Sequence, residues 1–323
     1  MRSRRFVRPT VKQPVQERAR QSAGLLTADA RMSTPASIDP AWLDAQYNPR
    51  TAVPDHARIF ERWGRESAAA REGLPCLLDL PYGDTAAETL DVFPAARGGA
   101  PILVFIHGGW WRALDKSDHS FIAPSFVREG AAVVVPNYAL CTAVTIGTIA
   151  LQMTRALAWV QRHAARCHGD ARRIVVAGHS AGGHLAAMLL ACDWRRVGAD
   201  LPADLLRGAL AISGVYDLEP LRLAPFLQVD LRLERADVPR LSPAFFPAPR
   251  GPLHAVVGAL ESAEFQRQNA LIRTAWGEAA VPVCETLPGR HHYDVLDDLI
   301  DAAGRAHALA LGLLGLRRIS AII

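Results

Sequence analysis

A serine flanked by glycines lies between a β-branched run and a stretch of small and apolar residues. In the segment IVVAGHSAGGHLAAMLL, at 174–190, Ser180 has Gly178 before it and Gly182 after it. The first part predicts a buried strand and the second a helix, which is the setting of a nucleophile elbow. The sharp turn exposes the serine hydroxyl for attack on a carbonyl carbon. We therefore predict that Ser180 is a catalytic nucleophile.

Attack on a carbonyl also requires hydrogen-bond donors for the oxygen that becomes negative. The segment FIHGGWW places Gly108 and Gly109 directly after an apolar run that ends at Ile106. Their backbone N–H groups, together with that of Ala181, suit an oxyanion hole. We expect His107 to brace this turn by hydrogen bonding, since the base should follow the nucleophile in the chain.

The general base is expected between the last strand and the last helix. The segment LPGRHHYDVLDDL meets this demand with two candidates, His291 and His292, of which we favour His292. The base must take the serine proton and needs a third group to orient it. His184 lies on the predicted elbow helix, where a packing role is expected.

The orienting acid is expected after the penultimate strand. Glu261, in GALESAEF, is the first carboxylate after the strand predicted at 253–257, and Glu264 lies where a helix is expected to have begun. Asp217, in SGVYDLEP, is the alternative, although an aspartate in a turn often binds local backbone N–H groups. We predict Glu261 as the acid, with Asp217 as its rival.

Strands alternate with helices along the chain, and this alternation must position those side chains. Predicted strands occupy 76–80, 89–93, 101–106, 131–135, 173–177, 208–212, 253–257 and 281–286, the first two as an antiparallel pair. Predicted helices run from 149 towards 169 and over 183–190, 265–276 and 295–314, the last interrupted at Gly304. The pattern predicts the α/β class, with a mostly parallel central sheet and helices on both faces.

The chain is expected to form a single domain over residues 39–318. Within it, residues 220–252 contain seven prolines and no clean periodicity. We interpret that segment as a cap-like insertion over the site, because long segments without a pattern are usually functional. Residues 1–38 are predicted to be a basic, disordered extension, and Met32 resembles a natural start of translation.

The positive charge is concentrated at the start of the chain. Residues 1–31 carry eight of the 36 Lys and Arg residues and two of the 32 Asp and Glu residues, which leaves 28 bases and 30 acids for the remainder. A slightly acidic body with no basic run argues against a nucleic-acid partner. Five scattered cysteines without C-x-x-C spacing favour the cytoplasm, and the apolar stretch at 306–316 is too short for a bilayer, so no membrane partner is expected.

Five segments together resemble one known group of proteins: HGGWW, GHSAGGHLAAMLL, SGVYDLEPL, GALESAEFQRQ and LPGRHHYDVLDDL. They are similar to the kynurenine formamidase (arylformamidase) branch of the α/β-hydrolases, near the hormone-sensitive-lipase-like esterases. The resemblance covers residues 41–316 and implies the α/β-hydrolase fold. It matches Ser180 to the nucleophile, His292 to the base, and Gly108 and Gly109 to the oxyanion glycines.

Two positions depart from that family. Glu261 stands where the animal enzymes have an aspartate, so its carboxylate reaches one methylene further. Trp110 stands where tyrosine is common, which is expected to alter substrate preference.

The resemblance implies a serine hydrolase that removes a small acyl group and needs no metal or organic cofactor. An aryl formamide of the N-formylkynurenine type is the favoured substrate, and a carboxylesterase for short-chain or aryl esters is the alternative. We expect Trp110 and Trp111 to keep the acyl pocket small, and Tyr216, Phe226 or Tyr293 to face an aromatic leaving group. A ligand-binding module on a decayed hydrolase scaffold is a rival of another class. The sequence leaves the oligomeric state open, a homodimer included.

Overall fold

The structure is a computed structural model and describes residues 39–317. The extension predicted for residues 1–38 lies outside the described residues, as does residue 318. The strands are β1 Leu77–Pro81, β2 Thr89–Phe93, β3 Ala100–Ile106, β4 Ala132–Pro136, β5 Gly169–His179, β6 Leu206–Ile212, β7 Leu253–Gly258 and β8 Val283–Leu287.

Helices occupy most of the segments between these strands. They are α1 Pro40–Tyr47, α2 Pro49–Ala52, α3 His56–Gly73, α4 Ala123–Arg128, α5 Ile146–Arg162, α6 Ala181–Leu190, α7 Trp194–Val197, α8 Glu219–Leu223, α9 Pro225–Leu231, α10 Val238–Leu241, α11 Ala263–Trp276, α12 Val295–Ile300 and α13 Arg305–Leu314. Short 3₁₀ segments cover Lys116–Ile122, Ala164–Cys167 and Pro243–Phe245.

The strands form one sheet in the order β1-β2-β4-β3-β5-β6-β7-β8. The strand β2 pairs antiparallel with both β1 and β4, and every pairing from β4 to β8 is parallel. The predicted α/β class with a mostly parallel sheet is therefore confirmed. The carboxyl ends of β3, β5, β6, β7 and β8 lie at one edge of the sheet, where ligands bind in folds of this kind.

The centre of the sheet is buried on both faces. Every residue of β3 and β4 is buried, as their continuous apolar runs predict. Successive side chains of a strand point to opposite faces. Leu103 and Phe105 belong to one core cluster with Leu309 of α13, whereas the equally buried Ile102 and Val104 lie on the opposite face.

One strand boundary differs from the sequence expectation, and one interruption of a helix agrees with it. The strand β5 begins at Gly169 instead of residue 173, because its first residues are polar and only partly buried and therefore give no hydrophobic signal. The helix predicted over 295–314 is divided into α12 and α13, with the break at Gly304 as expected. No helix of residues 39–317 combines the length and hydrophobicity needed to cross a membrane.

The proline-rich segment 220–252 contains short helices. Pro220, Pro225 and Pro239 lie in the first turns of α8, α9 and α10. Proline suits the first turn of a helix because its fixed φ matches the helix and its missing N–H would have no partner there. The segment lacks a clean periodicity because each of these helices is only four to seven residues long.

Candidate active site

Ser180 occupies the turn between β5 and α6, in a backbone conformation that side chains rarely adopt. Its φ is 55° and its ψ is −117°. Such a conformation costs about 1–3 kcal/mol for a residue with a Cβ, so the surrounding structure must hold it. The Ser180 N–H donates to the carbonyl of Ile212 at 2.8 Å, which ties the turn to β6. A Cβ at Gly182 would collide with the backbone oxygen of Ile106, so the helix can pass this close to β3 only with glycine there.

His292 lies in the loop between β8 and α12, and its ring is hydrogen-bonded to Glu261. The distance from His292 Nδ1 to Glu261 Oε2 is 2.6 Å, and the two side chains are 5% and 0% exposed. A carboxylate only accepts hydrogen bonds, so Nδ1 carries the proton and donates. In neutral histidine this leaves Nε2 free to accept a proton.

The Glu261 carboxylate is held at both oxygens. Its Oε1 accepts from the Ser213 hydroxyl at 2.5 Å and from the Gly258 N–H at 2.8 Å. Ser213 follows β6 directly and has a positive φ of 52°, which places its hydroxyl against the acid. The carboxylate is therefore fixed relative to His292 by two donors.

Replacement of Ser213 by alanine is expected to lower kcat/KM about tenfold, because a hydrogen bond to a charged group is worth about 1.5–3 kcal/mol. Steady-state kinetics of S213A would measure this effect. Ser125 is a buried serine whose hydroxyl donates to the Ile300 carbonyl, and S125A is the matched control. Equal losses in S213A and S125A would contradict the positioning role of Ser213.

The two other candidate acids, Asp217 and Glu264, form hydrogen bonds with groups other than His292. Asp217 accepts from the Glu219 N–H at 3.0 Å, as an aspartate in a turn does, and burial raises its pKa. Glu264 accepts from the Tyr47 hydroxyl at 2.6 Å and forms an ion pair with Arg267. Neither contacts His292, so Glu261 is the carboxylate that the fold brings to this ring.

The rival histidines also have other partners. Nδ1 of His291 accepts from the N–H groups of Tyr293 and Asp294, which places its ring in the turn before α12. Nε2 of His184 is hydrogen-bonded to the Leu241 carbonyl at 2.7 Å, and burial lowers its pKa to about 4. Of these three histidines, His292 is the one that the fold brings to Glu261.

The loop after β3 passes directly over the serine. A Cβ built on Gly108 would lie 3.2 Å from Ser180 Cβ and 2.9 Å from the carbonyl oxygen of His179. The Tyr138 hydroxyl donates to the carbonyls of His107 and Gly108, each at 3.0 Å, and its ring stacks on the His107 ring at 4.2 Å. Burial lowers the pKa of His107 to about 4, so this ring stays neutral as it braces the loop.

His179 anchors the backbone of His292. Its Nε2 donates to the His292 carbonyl at 2.7 Å, and its ring centroid lies 4.8 Å from the His292 ring. Burial and the neighbouring His292 ring hold its pKa well below the usual value, so His179 remains neutral. The residue before Ser180 thus connects the elbow to the loop that carries His292.

Ser180 and His292 line one small cavity of about 40 Å³. Since a water molecule needs roughly 10–15 Å³ of such volume, the cavity has room for about three waters. Aromatic side chains form much of its wall: Phe60, Trp63, Trp110, Phe226 and Tyr293. Further lining residues are Gly109 and the segment from Asn48 to Arg50.

The structure brings three of the five predicted substrate-binding residues, Trp110, Phe226 and Tyr293, to this cavity. Trp111 is not in the lining, because it is fully buried and meets the His184 ring edge-on at 4.9 Å. Tyr216 is also fully buried and outside the lining, and its backbone N–H donates to a glutamine side chain.

The sequence analysis missed the contribution of α2 and α3 to the cavity. Asn48, Pro49 and Arg50 come from the start of α2, and Phe60 and Trp63 come from α3. An amphipathic pattern in α3 was available as a signal, since Trp63, Ser67 and Ala70 recur at helical spacing and are buried.

Comparisons with known proteins agree with this geometry. The family model described as BD-FAE matches residues 90–196. The kynurenine formamidase of Danio rerio is 28% identical over 283 residues, covering 84% of this chain and 93% of that protein. The esterase LipQ of Mycobacterium tuberculosis is 30% identical over 240 residues, covering 66% of this chain and 56% of that protein. A candidate thioesterase from Silicibacter sp. has a similar structure with a TM-score of 0.73 and 29% identity, covering 82% of this chain and 97% of that chain.

The sheet order and the strand–serine–helix turn, together with these similarities, define an α/β-hydrolase. Its relatives are hydrolases, and the chain is an enzyme of that class. Over most of its length the chain is similar to a kynurenine formamidase, and over a shorter region to a bacterial esterase.

Proposed function

We propose that this chain is a serine hydrolase that removes the formyl group from an aryl formamide of the N-formylkynurenine type. One observation carries the proposal: Ser180, on a strained elbow, shares a small aromatic-walled cavity with His292, whose Nδ1 is held by Glu261. This arrangement suits acyl transfer through a serine ester. The similarity to a kynurenine formamidase supports the choice of substrate.

In the proposed acylation step, Ser180 Oγ attacks the formyl carbon while His292 Nε2 takes the hydroxyl proton. The backbone N–H groups of Gly108, Gly109 and Ala181 receive the oxyanion. When the tetrahedral intermediate collapses, the C–N bond breaks and the arylamine leaves with the proton from His292. Glu261 stabilises the imidazolium that exists between these two transfers.

The deacylation step repeats this sequence with water. His292 accepts a proton from the water as it attacks the formyl ester on Ser180, and returns that proton to the serine oxygen as formic acid leaves. The products are the free arylamine and formic acid, which ionises in solution to formate and a proton.

The size of the cavity favours a small acyl group. A formyl group has only hydrogen beside its carbonyl, and the space at Ser180 has the volume of about three waters. Aryl amides are favoured chemically, because the ring withdraws the nitrogen lone pair and weakens amide resonance. Phe226 and Tyr293 offer aromatic surfaces to an aromatic leaving group.

Segment 220–252 is proposed to cap the site. Phe226, at the start of α9, lines the cavity. Arg112 directly follows residues 107–111, which we call the oxyanion loop. It donates to the Phe226 carbonyl at 2.7 Å and forms an ion pair with Asp230. Two contacts thus join α9 to the loop that carries the oxyanion donors. A cytoplasmic location belongs to the same proposal, since all five cysteines are free thiols.

The second candidate function is a carboxylesterase for short-chain or aryl esters, which the similarity to the esterase LipQ favours. Esters would use the same residues and have an easier leaving group. Purified protein should be assayed on N-formylkynurenine and on p-nitrophenyl acetate, with S180A as the blank. We expect hydrolysis of the formamide by the wild type and none above background by S180A; an ester rate larger by several orders of magnitude would favour the esterase.

Replacement of Trp110 by alanine is expected to extend the range of acyl groups. Trp110 is 8% exposed and lines the cavity, so its removal should open space beside Ser180. The ratio of kcat/KM for p-nitrophenyl butyrate to that for p-nitrophenyl acetate should rise about tenfold, as expected when space is made for a few methylenes. Trp111→Ala is the matched control outside the cavity, and a ratio unchanged in W110A would contradict the acyl-pocket role.

A further inference from the structure

Two arginines line the cavity at Ser180, and their electrostatic situations differ. Arg112 forms an ion pair with Asp230 on α9, so its charge is balanced within the protein. No carboxylate of residues 39–317 forms an ion pair with Arg50. The described part of the site therefore carries one positive charge without an acidic partner at its mouth.

Aromatic rings hold Arg50 in place there. Its guanidinium carbon lies 5.8 Å from the centroid of the Phe60 ring, which is within cation–π range. The guanidinium is also near the Tyr293 hydroxyl: burial raises the pKa of Tyr293 to about 12, and Arg50 opposes that rise. Phe60 and Tyr293 are themselves in edge contact at 5.1 Å, so the two rings form one support.

The position of Arg50 fits recognition of a distant part of the substrate. It belongs to α2, whose first helical residue is Pro49, and it is exposed, whereas Ser180 at the base is 2% exposed. A guanidinium presents its donors in a planar fork that matches a carboxylate. A group bound by Arg50 would thus lie at the mouth of the cavity, away from the scissile carbonyl.

We propose that Arg50 is a specificity-determining residue that binds a carboxylate on the leaving-group side of the substrate. This inference rests on the proposed function and narrows it to acylated arylamines that carry a carboxylate. Neutral aryl formamides lack this contact and are hydrolysed with a higher KM.

The test compares N-formylkynurenine with its carboxamide analogue, which has the same shape and lacks the negative charge. The wild type should prefer the carboxylate about tenfold in kcat/KM, as expected for a charge-assisted contact at an exposed site. R50Q should abolish that preference, mainly through KM, and R50K should retain part of it. Arg58, an exposed arginine of α3 outside the cavity lining, provides the control variant R58Q, which should keep the preference.

A loss that is equal for both substrates in R50Q, or no loss for either, would overturn the role of Arg50. If the wild type hydrolyses neither formamide, the proposed function fails and the same variants are assayed on 4-acetoxyphenylacetate and its neutral amide. A preference for the carboxylate ester that disappears in R50Q would support Arg50 without the formamidase activity. Equal rates on the two esters in the wild type would overturn it.

Discussion

Replacement of Ser180 by alanine is expected to lower kcat by about 10⁴- to 10⁶-fold, since removal of a serine nucleophile leaves only binding and the oxyanion donors. The elbow should persist in S180A, because the contacts that hold it are made by the backbone, including the N–H bond to Ile212. Initial rates at saturating substrate would measure the loss, and thermal unfolding would verify that the variant is folded. An S180A protein that is folded and retains more than about 1% of kcat would be incompatible with the covalent mechanism.

Replacement of Glu261 by glutamine is expected to cost about 10⁴-fold in kcat, the effect of an amide in place of a triad carboxylate. A glutamine NH₂ group facing His292 would favour the tautomer with Nδ1 as acceptor and the proton on Nε2. In that tautomer Nε2 cannot accept the proton of Ser180. Kinetics of E261Q over a range of pH would measure the effect.

The matched control for E261Q is D217N, which alters the rival carboxylate. Asp217 accepts a local backbone bond and does not contact His292, so D217N should stay within about threefold of the wild type in kcat. Both variants replace a carboxylate by its amide at nearly constant volume. A difference in kcat between them therefore reports which carboxylate acts on His292. A larger loss in D217N than in E261Q would reassign the acid.

Ser180, Glu261 and His292 could be proposed from the sequence because the relevant signals are local or follow chain order, and the structure brings these residues close together. The strand before Ser180 is apolar, the glycines beside it mark a close approach of the backbone, and His292 follows the last strand. Glu261 was found by its place after β7, and its longer side chain reaches the ring at 2.6 Å. Each of these inferences needed only one segment at a time.

The aromatic wall was harder to predict, because it depends on backbone conformation and on contacts between distant segments. Trp110 and Trp111 are adjacent and chemically identical, and both have positive φ values of 51° and 53°. The chain turns so that Trp110 lines the cavity and Trp111 lies beneath it against His184. Nothing in the pair WW indicates which ring faces the substrate.

The contribution of Arg50 could not be predicted from the sequence, for a different reason. It lies 130 residues before Ser180 in the chain, in a helix of four residues, Pro49–Ala52. A helix that short gives no periodic signal, and the sheet order does not specify where it packs. Its place in the cavity lining follows only from the folded structure.

The most direct test of the account is a crystal structure of the protein after reaction with a fluorophosphonate. We expect a covalent bond from Ser180 Oγ to phosphorus, with the phosphoryl oxygen facing the N–H groups of the oxyanion loop and Ala181. His292 Nε2 should lie within about 3.2 Å of Ser180 Oγ. Phosphorus bound to another residue, or a His292 ring turned away from an unmodified Ser180, would contradict it.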